Sequence, residues 1–230
     1  MKITDIKIYA AEYAQTSKSL TNKKWVFLKM ETDEGIHGWG EVGSSVNVSE
    51  NFMATAIKEV SPQLIGENPM DIDRLWNKLF RMFSYMGSRG FTTSLTAGFD
   101  IALWDIKGKV SGLPVYDLLG GRYRDPVRLY CNAWFTGCST PEEYAKAAKS
   151  NVVDNGHTAC KLDPFLEMTQ YHTMYQDGFI SEEGEQLGYD IVAAVREVVG
   201  PEIEILIDAH GHYLSLIHIS EPTRPERIAY

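Results

Sequence analysis

The part of the chain that follows Gly121 alternates between short apolar runs and helix signals. Three strand-like runs are found at residues 127–131, 158–162 and 203–208. A helix signal opens at Thr140, with the Glu143 of a capping box three residues later, and a longer helical segment lies within residues 182–199. Runs that are apolar on both faces and separated by helices are typical of a parallel sheet or barrel covered by helices. The pattern therefore predicts an α/β fold for this part of the chain.

The first 120 residues follow a different pattern. Strand-like alternation occurs at residues 2–12, 24–32 and 37–43. With a turn signal at residues 33–35, it predicts a three-stranded antiparallel sheet. Residues 50–108 are helical in period, and Asn68-Pro69 predicts a helix start with proline at the first helical position. The third helix is predicted to end at Gly108. We expect a small helical bundle that packs on the sheet.

Composition narrows the classes of function. The 230 residues carry a formal net charge of −9, and lysine and arginine form no cluster. Nucleic acids and anionic membranes need a concentrated basic surface, so we exclude both as partners and expect a small molecule. No apolar run has signal or membrane-spanning length, so we expect a cytoplasmic protein. Cys131, Cys138 and Cys160 have neither CxxC nor zinc-site spacing and are expected to be free thiols.

Polar side chains stand at the ends of the second and third strand-like runs. Lys161 and Asp163 are two residues apart, as are Asp208 and His210, so on a strand the members of each pair point to one side. In barrels of alternating strands and helices, the carboxyl ends of the strands build the active site. The two pairs are therefore candidate catalytic residues. The alternative is a solvated strand end at which Asp163-Pro164 only begins a turn.

Four motifs carry a resemblance to a known family. AGFDIALWDIKGKVSGLPVYDLLGG at residues 97–121 is highly specific, GWGE at residues 38–41 is weaker, and KLDPF and IDAHG have matching placements. Over residues 1 to about 213, the chain resembles the mandelate racemase-like subgroup of the enolase superfamily. The resemblance implies an α+β capping domain at residues 1–125. It then implies the first part of an α/β (β/α)7β TIM-like barrel at residues 126–213, with about three of its strands.

The same resemblance implies chemistry and roles. The family binds Mg²⁺ and removes the proton alpha to a carboxylate, forming an enediolate. Asp208 falls at its first metal ligand, and Lys161 matches the first lysine of a Lys-x-Lys pair, which helps to hold the substrate carboxylate. Asp163 replaces the second lysine, the usual base on one face. His210 resembles the histidine with which acid-sugar dehydratases protonate the departing hydroxyl. We predict an aldonate or aldarate dehydratase with one Mg²⁺ ion; a racemase or epimerase is the alternative.

Loops of the capping domain are predicted to recognise the substrate. By the resemblance, the segments around residues 13–23 and 44–51 close over the barrel mouth. Their candidate substrate-binding residues are Tyr13, Lys18, Lys23 and Lys24. These side chains suit an anionic polyhydroxy acid, and a solvated polar loop is the alternative for each of them. We expect the full-length parent protein to be a homo-oligomer.

The last residues have no period in common with those before them. Residues 214–224, LSLIHISEPTR, can be encoded by the read-through of an adapter used in DNA sequencing libraries. A barrel of this kind needs about 250 residues. We therefore interpret residues 214–230 as translated adapter joined to a truncated gene fragment. The remaining metal carboxylates and the family's base would then lie beyond residue 213. Taken literally, the chain would be a noncatalytic fragment whose capping domain folds or associates.

Overall fold

The chain forms two compact units, Met1–Asp125 and Pro126–Tyr230. The structure is a computed structural model that describes residues 1–12, 24–43, 49–85, 87, 90–165, 175–176 and 179–209. Each unit has an apolar core of its own. In the part of the chain that the structure describes, no helix has the length and apolar character needed to cross a membrane.

The first unit contains a three-stranded antiparallel sheet. Its strands, in spatial order, are β1 (Ile3–Glu12), β2 (Lys24–Thr32) and β3 (His37–Val42). Tyr9 lies opposite Phe27, which lies opposite Glu41. Successive residues of a strand face opposite sides of the sheet. Leu28 and Met30 of β2 are fully buried on one side, and Tyr9, Phe27 and Glu41 face the other side. The predicted sheet is confirmed, and one of its faces forms part of the core.

Helices cover the buried face of this sheet. Two of them contact the sheet, α1 (Glu50–Val60) and α3 (Phe91–Ser111), while α2 (Ile72–Met82) and the short α4 (Val115–Leu118) pack on α3. The predicted helix start at Asn68-Pro69 is wrong, because the Asn68 side chain accepts a hydrogen bond from the Met70 backbone N–H at 3.1 Å in a turn before α2. The predicted end at Gly108 is wrong too. α3 continues until Gly112, whose φ of 66° is the left-handed conformation that commonly follows a helix.

Two glycines of the GWGE motif allow α3 to approach β3 closely. A Cβ atom on Gly40 would lie 1.8 Å from the Gly98 carbonyl oxygen, and one on Gly38 would lie 2.0 Å from that of Ala102. Both distances are far inside van der Waals contact. Because the atoms that would clash belong to the backbone of α3, only residues without a side chain fit at these two positions.

Side chains of α3 also bind the outer edge of β3. Asp105 Oδ2 accepts hydrogen bonds from the Trp39 backbone N–H at 2.8 Å and from Lys109 Nζ at 2.7 Å. Lys109 Nζ donates to the His37 carbonyl oxygen at 2.7 Å as well. Unpaired groups on an edge strand invite pairing with other chains, and these contacts satisfy two of them. The WDIKGK run therefore has a structural role.

The second unit contains parallel strands and helices in alternation. Its elements are α5 (Pro141–Ala148), β4 (Ala159–Leu162), the two-residue strands β5 (Tyr175–Gln176) and β6 (Phe179–Ile180), α6 (Glu182–Val199) and β7 (Glu204–Ile207). β4 and β7 pair in parallel, as the alternating pattern predicts. Thr140 and Glu143 form the predicted capping box at the start of α5. The antiparallel pair of β5 and β6 is too short to produce a sequence period.

The first predicted strand of this unit is formed at one residue. Cys131 lies beside β4, where its N–H donates to the Ala159 carbonyl at 2.9 Å and its carbonyl accepts from the Lys161 N–H at 2.8 Å. Residues 127–130 do not form a strand, and Val127 and Leu129 are 68% and 76% exposed. An apolar run alone is not sufficient for a strand, which also needs a paired backbone and buried side chains. The predicted strand at residues 127–131 is therefore mostly wrong.

Candidate functional site

The carboxyl ends of β4 and β7 lie side by side. Leu162 is opposite Ile207, and the Asp208 N–H continues the ladder by donating to the Leu162 carbonyl at 3.0 Å. This pairing brings Lys161 Nζ to 2.8 Å from Asp208 Oδ2. Two residues that are 47 positions apart in the sequence thus form an ion pair at one edge of the sheet.

The ion pair keeps Lys161 charged. The pKa of Lys161 is raised above its ordinary value, chiefly by the hydrogen bond to Asp208; desolvation opposes this rise, and the negative charge of Asp208 adds to it. Its side chain is 21% exposed and that of Asp208 is 33% exposed, so both remain in contact with solvent. A lysine that stays protonated at neutral pH can hold an anion but cannot accept a proton.

Asp163 lies just beyond β4 and is only 2% exposed. Its Oδ1 accepts a hydrogen bond from the Phe165 backbone N–H at 2.9 Å, and its carbonyl accepts one from the Tyr144 hydroxyl at 3.4 Å. A carboxylate that accepts from the N–H two residues later is a common way to begin a turn. These contacts agree with the turn alternative for Asp163-Pro164, and a catalytic role for Asp163 stays a prediction.

A glycine of α6 supports this turn. A Cβ atom on Gly188 would lie 2.4 Å from Cε1 of Phe165, so the ring occupies space that any other residue would fill. Phe165 in turn follows Asp163 by two positions and bonds to its carboxylate. Packing against α6 therefore fixes the segment that ends β4.

Sequence reasoning missed two aromatic residues beside Lys161. The Trp134 indole N–H donates to the Lys161 carbonyl at 2.9 Å, which holds the backbone of β4. The Tyr130 ring centre lies 5.7 Å from Lys161 Nζ. Tyr130 precedes Cys131, the residue that pairs with β4, so the rule that strand ends build the site could have found it.

For the other predicted site residues, the structure gives no contact at this edge that could test a role. Four of them, His210, Tyr13, Lys18 and Lys23, lie outside the described residues, as does the segment 214–230. Lys24 belongs to the first unit, where its backbone begins β2 and pairs with Glu12 of β1. Roles for these five residues in catalysis or substrate binding stay predictions.

The residues of this edge do not by themselves fit a magnesium ion. Asp208 provides a hard oxygen ligand of the kind that Mg²⁺ prefers. However, Oδ2 of this carboxylate is bonded to Lys161. Among the described residues, no group of three or more His, Cys, Asp or Glu side chains could hold a metal ion. We derive no reaction step through a metal from this geometry.

The order of the two units, a sheet with helices and then parallel β/α elements, agrees with the fold of enolase-type proteins. Residues 5–120, about half of the chain, match the family model for the N-terminal domain of mandelate racemase / muconate lactonizing enzyme. The chain therefore belongs to the mandelate racemase/muconate lactonizing enzyme family. The predicted fold class, an enolase-type N-terminal domain with part of a barrel, is confirmed.

Individual relatives agree with this membership. The chain is 36% identical to a D-galactonate dehydratase of Pectobacterium atrosepticum, over 98% of this chain and 54% of that protein. It is 31% identical to a D-gluconate dehydratase of Thermoproteus tenax, over 96% of this chain and 46% of that protein. The chain spans about half the length of the curated relatives it matches.

Solved structures show the same fold. A member of the enolase superfamily from Salmonella Typhimurium is 33% identical, with a TM-score of 0.75 over 92% of this chain and 55% of that one. A mandelate racemase/muconate lactonizing enzyme-like protein from Rubrobacter xylanophilus is 31% identical, with a TM-score of 0.74 over 93% of this chain and 55% of that one.

Proposed function

We propose that the chain is the amino-terminal half of a dehydratase that acts on aldonate or aldarate sugar acids. One observation carries the proposal: Lys161 and Asp208 meet at 2.8 Å, at strand ends of a chain similar to D-galactonate and D-gluconate dehydratases. The proposed parent removes the proton alpha to the substrate carboxylate and eliminates water through an enediolate. Its proposed location is the cytoplasm and its proposed assembly a homo-oligomer. Its proposed cofactor is one Mg²⁺ ion, for which Asp208 would be one ligand and residues beyond 213 would provide the others.

Lys161 suits the binding of an acidic substrate. Its raised pKa keeps the ammonium charged, and the group is partly open to solvent. A fixed positive charge beside a carboxylate stabilises the extra negative charge that develops when the alpha proton leaves. We assign Lys161 to the substrate carboxylate. The proton acceptor and the general acid, for which we propose His210, must be other groups.

The racemase or epimerase alternative is less well supported. Inverting a stereocentre needs a base on each face of the substrate. At the position of the family's second lysine this chain has Asp163, which is 2% exposed and whose carboxylate bonds to the Phe165 N–H. Dehydration needs one base and one acid, and so does not require a base at the position of Asp163. The 230-residue chain alone is proposed to be inactive, because Asp208 is the one metal ligand that we assign among its described residues.

The test begins with the source DNA. Sequencing across codon 214 shows whether the natural reading frame differs from residues 214–230. If it does, the longer protein is assayed with D-galactonate and D-gluconate in the presence of Mg²⁺. Loss of water from a 2,3-dihydroxy acid gives a 2-keto-3-deoxy acid, which semicarbazide detects by absorbance. We expect this product from the longer protein and none from the 230-residue chain. Conversion of either acid to its epimer without keto acid would overturn the proposal.

A further inference from the structure

A cavity between α2 and α3 of the first unit lies outside the candidate site. It has a volume of about 140 Å³. Trp76 and Phe80 form one wall, with ring centres 5.0 Å apart and planes at 11° to each other. These rings are 39% and 38% exposed, although neighbouring aromatic residues usually lie in the core. Adjacent exposed rings at the mouth of a cavity are a feature of binding surfaces.

A carboxylate lines the same cavity. Asp100 of α3 is half-buried, and within the part of the chain that the structure describes its carboxylate forms no hydrogen bond or ion pair. The pKa of Asp100 is raised, first by its burial and then by the negative charge of Asp73. The cavity thus combines flat aromatic faces with negative charge, and a cation is complementary to both.

The size of the cavity limits what it holds. Sites for small molecules usually have about 300 to 1,000 Å³, which is more than the 140 Å³ found between α2 and α3. A single side chain fits better than a metabolite. Among basic side chains, arginine has a flat guanidinium that stacks on aromatic rings and pairs with a carboxylate through two N–H groups, whereas the lysine ammonium does neither.

We propose that this cavity is a docking site for an arginine side chain of a partner polypeptide. The guanidinium lies against the ring of Trp76 and donates to the carboxylate of Asp100, and Asp73 adds to the attraction. This site is independent of the proposed dehydratase activity, because its residues belong to the first unit, whereas Lys161 and Asp208 belong to the second.

The test uses the 230-residue chain labelled with ¹⁵N and the probe N-acetyl-arginine amide. The indole resonance of Trp76 is assigned by its loss in Trp76→Phe. We expect this resonance to shift in a saturable way with the probe, and not with N-acetyl-citrulline amide, which has an uncharged group of nearly the same shape. Asp100→Asn should weaken binding about fivefold, as for an ion pair in contact with solvent. Asp117→Asn removes the same charge from an exposed position in α4 and should leave the affinity unchanged.

Four results would contradict an arginine of a partner polypeptide as the occupant, and two of them would identify a different occupant. Equal shifts with the citrulline compound, or an unchanged affinity in Asp100→Asn, overturn the proposal. Arg89 lies outside the described residues, shortly before α3 in the sequence. Binding of the probe that appears only in Arg89→Ala would mean that this arginine of the chain itself fills the cavity. A Trp76 resonance that moves with protein concentration in the absence of the probe would indicate a second copy of the chain. Either outcome also overturns the proposal.

Discussion

Lys161 Nζ donates to Asp208 Oδ2 at 2.8 Å across the parallel strands β4 and β7. Because the two side chains satisfy each other, an anion that binds to Lys161 competes with a carboxylate that is already in place. Weakening this contact should therefore change the affinity of Lys161 for acids. Replacing Asp208 by the uncharged asparagine, which has nearly the same shape, tests the electrostatic effect of Asp208 on Lys161.

Asp208→Asn is expected to lower the pKa of Lys161 toward its ordinary value of 10.5, since the hydrogen bond to Asp208 is the largest cause of the raised pKa. A raised pKa means that the pair contributes stability below pH 10.5 and loses it as the pH rises through the pKa of the folded protein. Side-chain NMR of Lys161, assigned with Lys161→Arg, measures both titrations. Equal midpoints in the two proteins would contradict the prediction.

Gly40→Ala is expected to destabilise the first unit by about 3 kcal/mol, at the upper end for overpacking. The added Cβ would lie 1.8 Å from the Gly98 carbonyl oxygen, and a backbone atom of α3 cannot move away without shifting the helix. Gly43→Ala is the matched control, because a Cβ there meets nothing within 4 Å. Urea unfolding with an unchanged m-value measures both. The packing argument fails if the two variants unfold at the same urea concentration.

The sequence predicted the meeting of Lys161 and Asp208 because two regular features determine it. Neighbouring parallel strands end at the same edge, and side chains alternate along each strand. Neither feature depends on contacts with the rest of the chain. The same reasoning found the three-stranded sheet of the first unit and the capping box at Thr140.

The environment of Asp163 could not be predicted in this way. It is set by Tyr144, Phe165 and the space at Gly188, and no local pattern encodes contacts between these residues. The start of α2 was missed for a different reason. Asn-Pro is a good helix start and also a good turn, and tertiary contacts decide between them.

Glu67→Gln is expected to destabilise the first unit at neutral pH by up to about 1 kcal/mol, since solvent screens the contacts. The Glu67 carboxylate accepts from Arg74 and Lys78, each at 2.7 Å, and these bonds lower its pKa to about 2. The stability they provide is complete above the ordinary pKa of 4.5 and is lost as the pH falls toward 2. Thermal unfolding from pH 6 to pH 2 should show a smaller loss in the variant. Parallel curves would rule this out.

Gly188→Ala is expected to cost about 1 to 3 kcal/mol, even though alanine favours a helix more than glycine does. Its Cβ would overlap the ring of Phe165, which lies 2.4 Å away. Phe165→Ala removes the ring with which the new Cβ clashes. The double variant should therefore lose less stability than the sum of the losses in the two single variants. A double-mutant cycle by urea unfolding measures this coupling. Additive effects would show that the ring does not limit the position.

His210→Asn tests the proposed acid in the protein restored to its natural continuation. On a strand that continues β7, His210 would share the side of Asp208, so its imidazole would stand near the leaving hydroxyl of a bound substrate. We expect dehydration to fall by about a hundred- to ten-thousand-fold, the usual contribution of a general acid. Exchange of the alpha proton with solvent deuterium should continue, because another group removes that proton. Asp208→Asn should lose both reactions, and His37→Asn, the same change on β3, should lose neither. Dehydration at the wild-type rate in His210→Asn, or loss of exchange together with elimination, would show that His210 is not the acid.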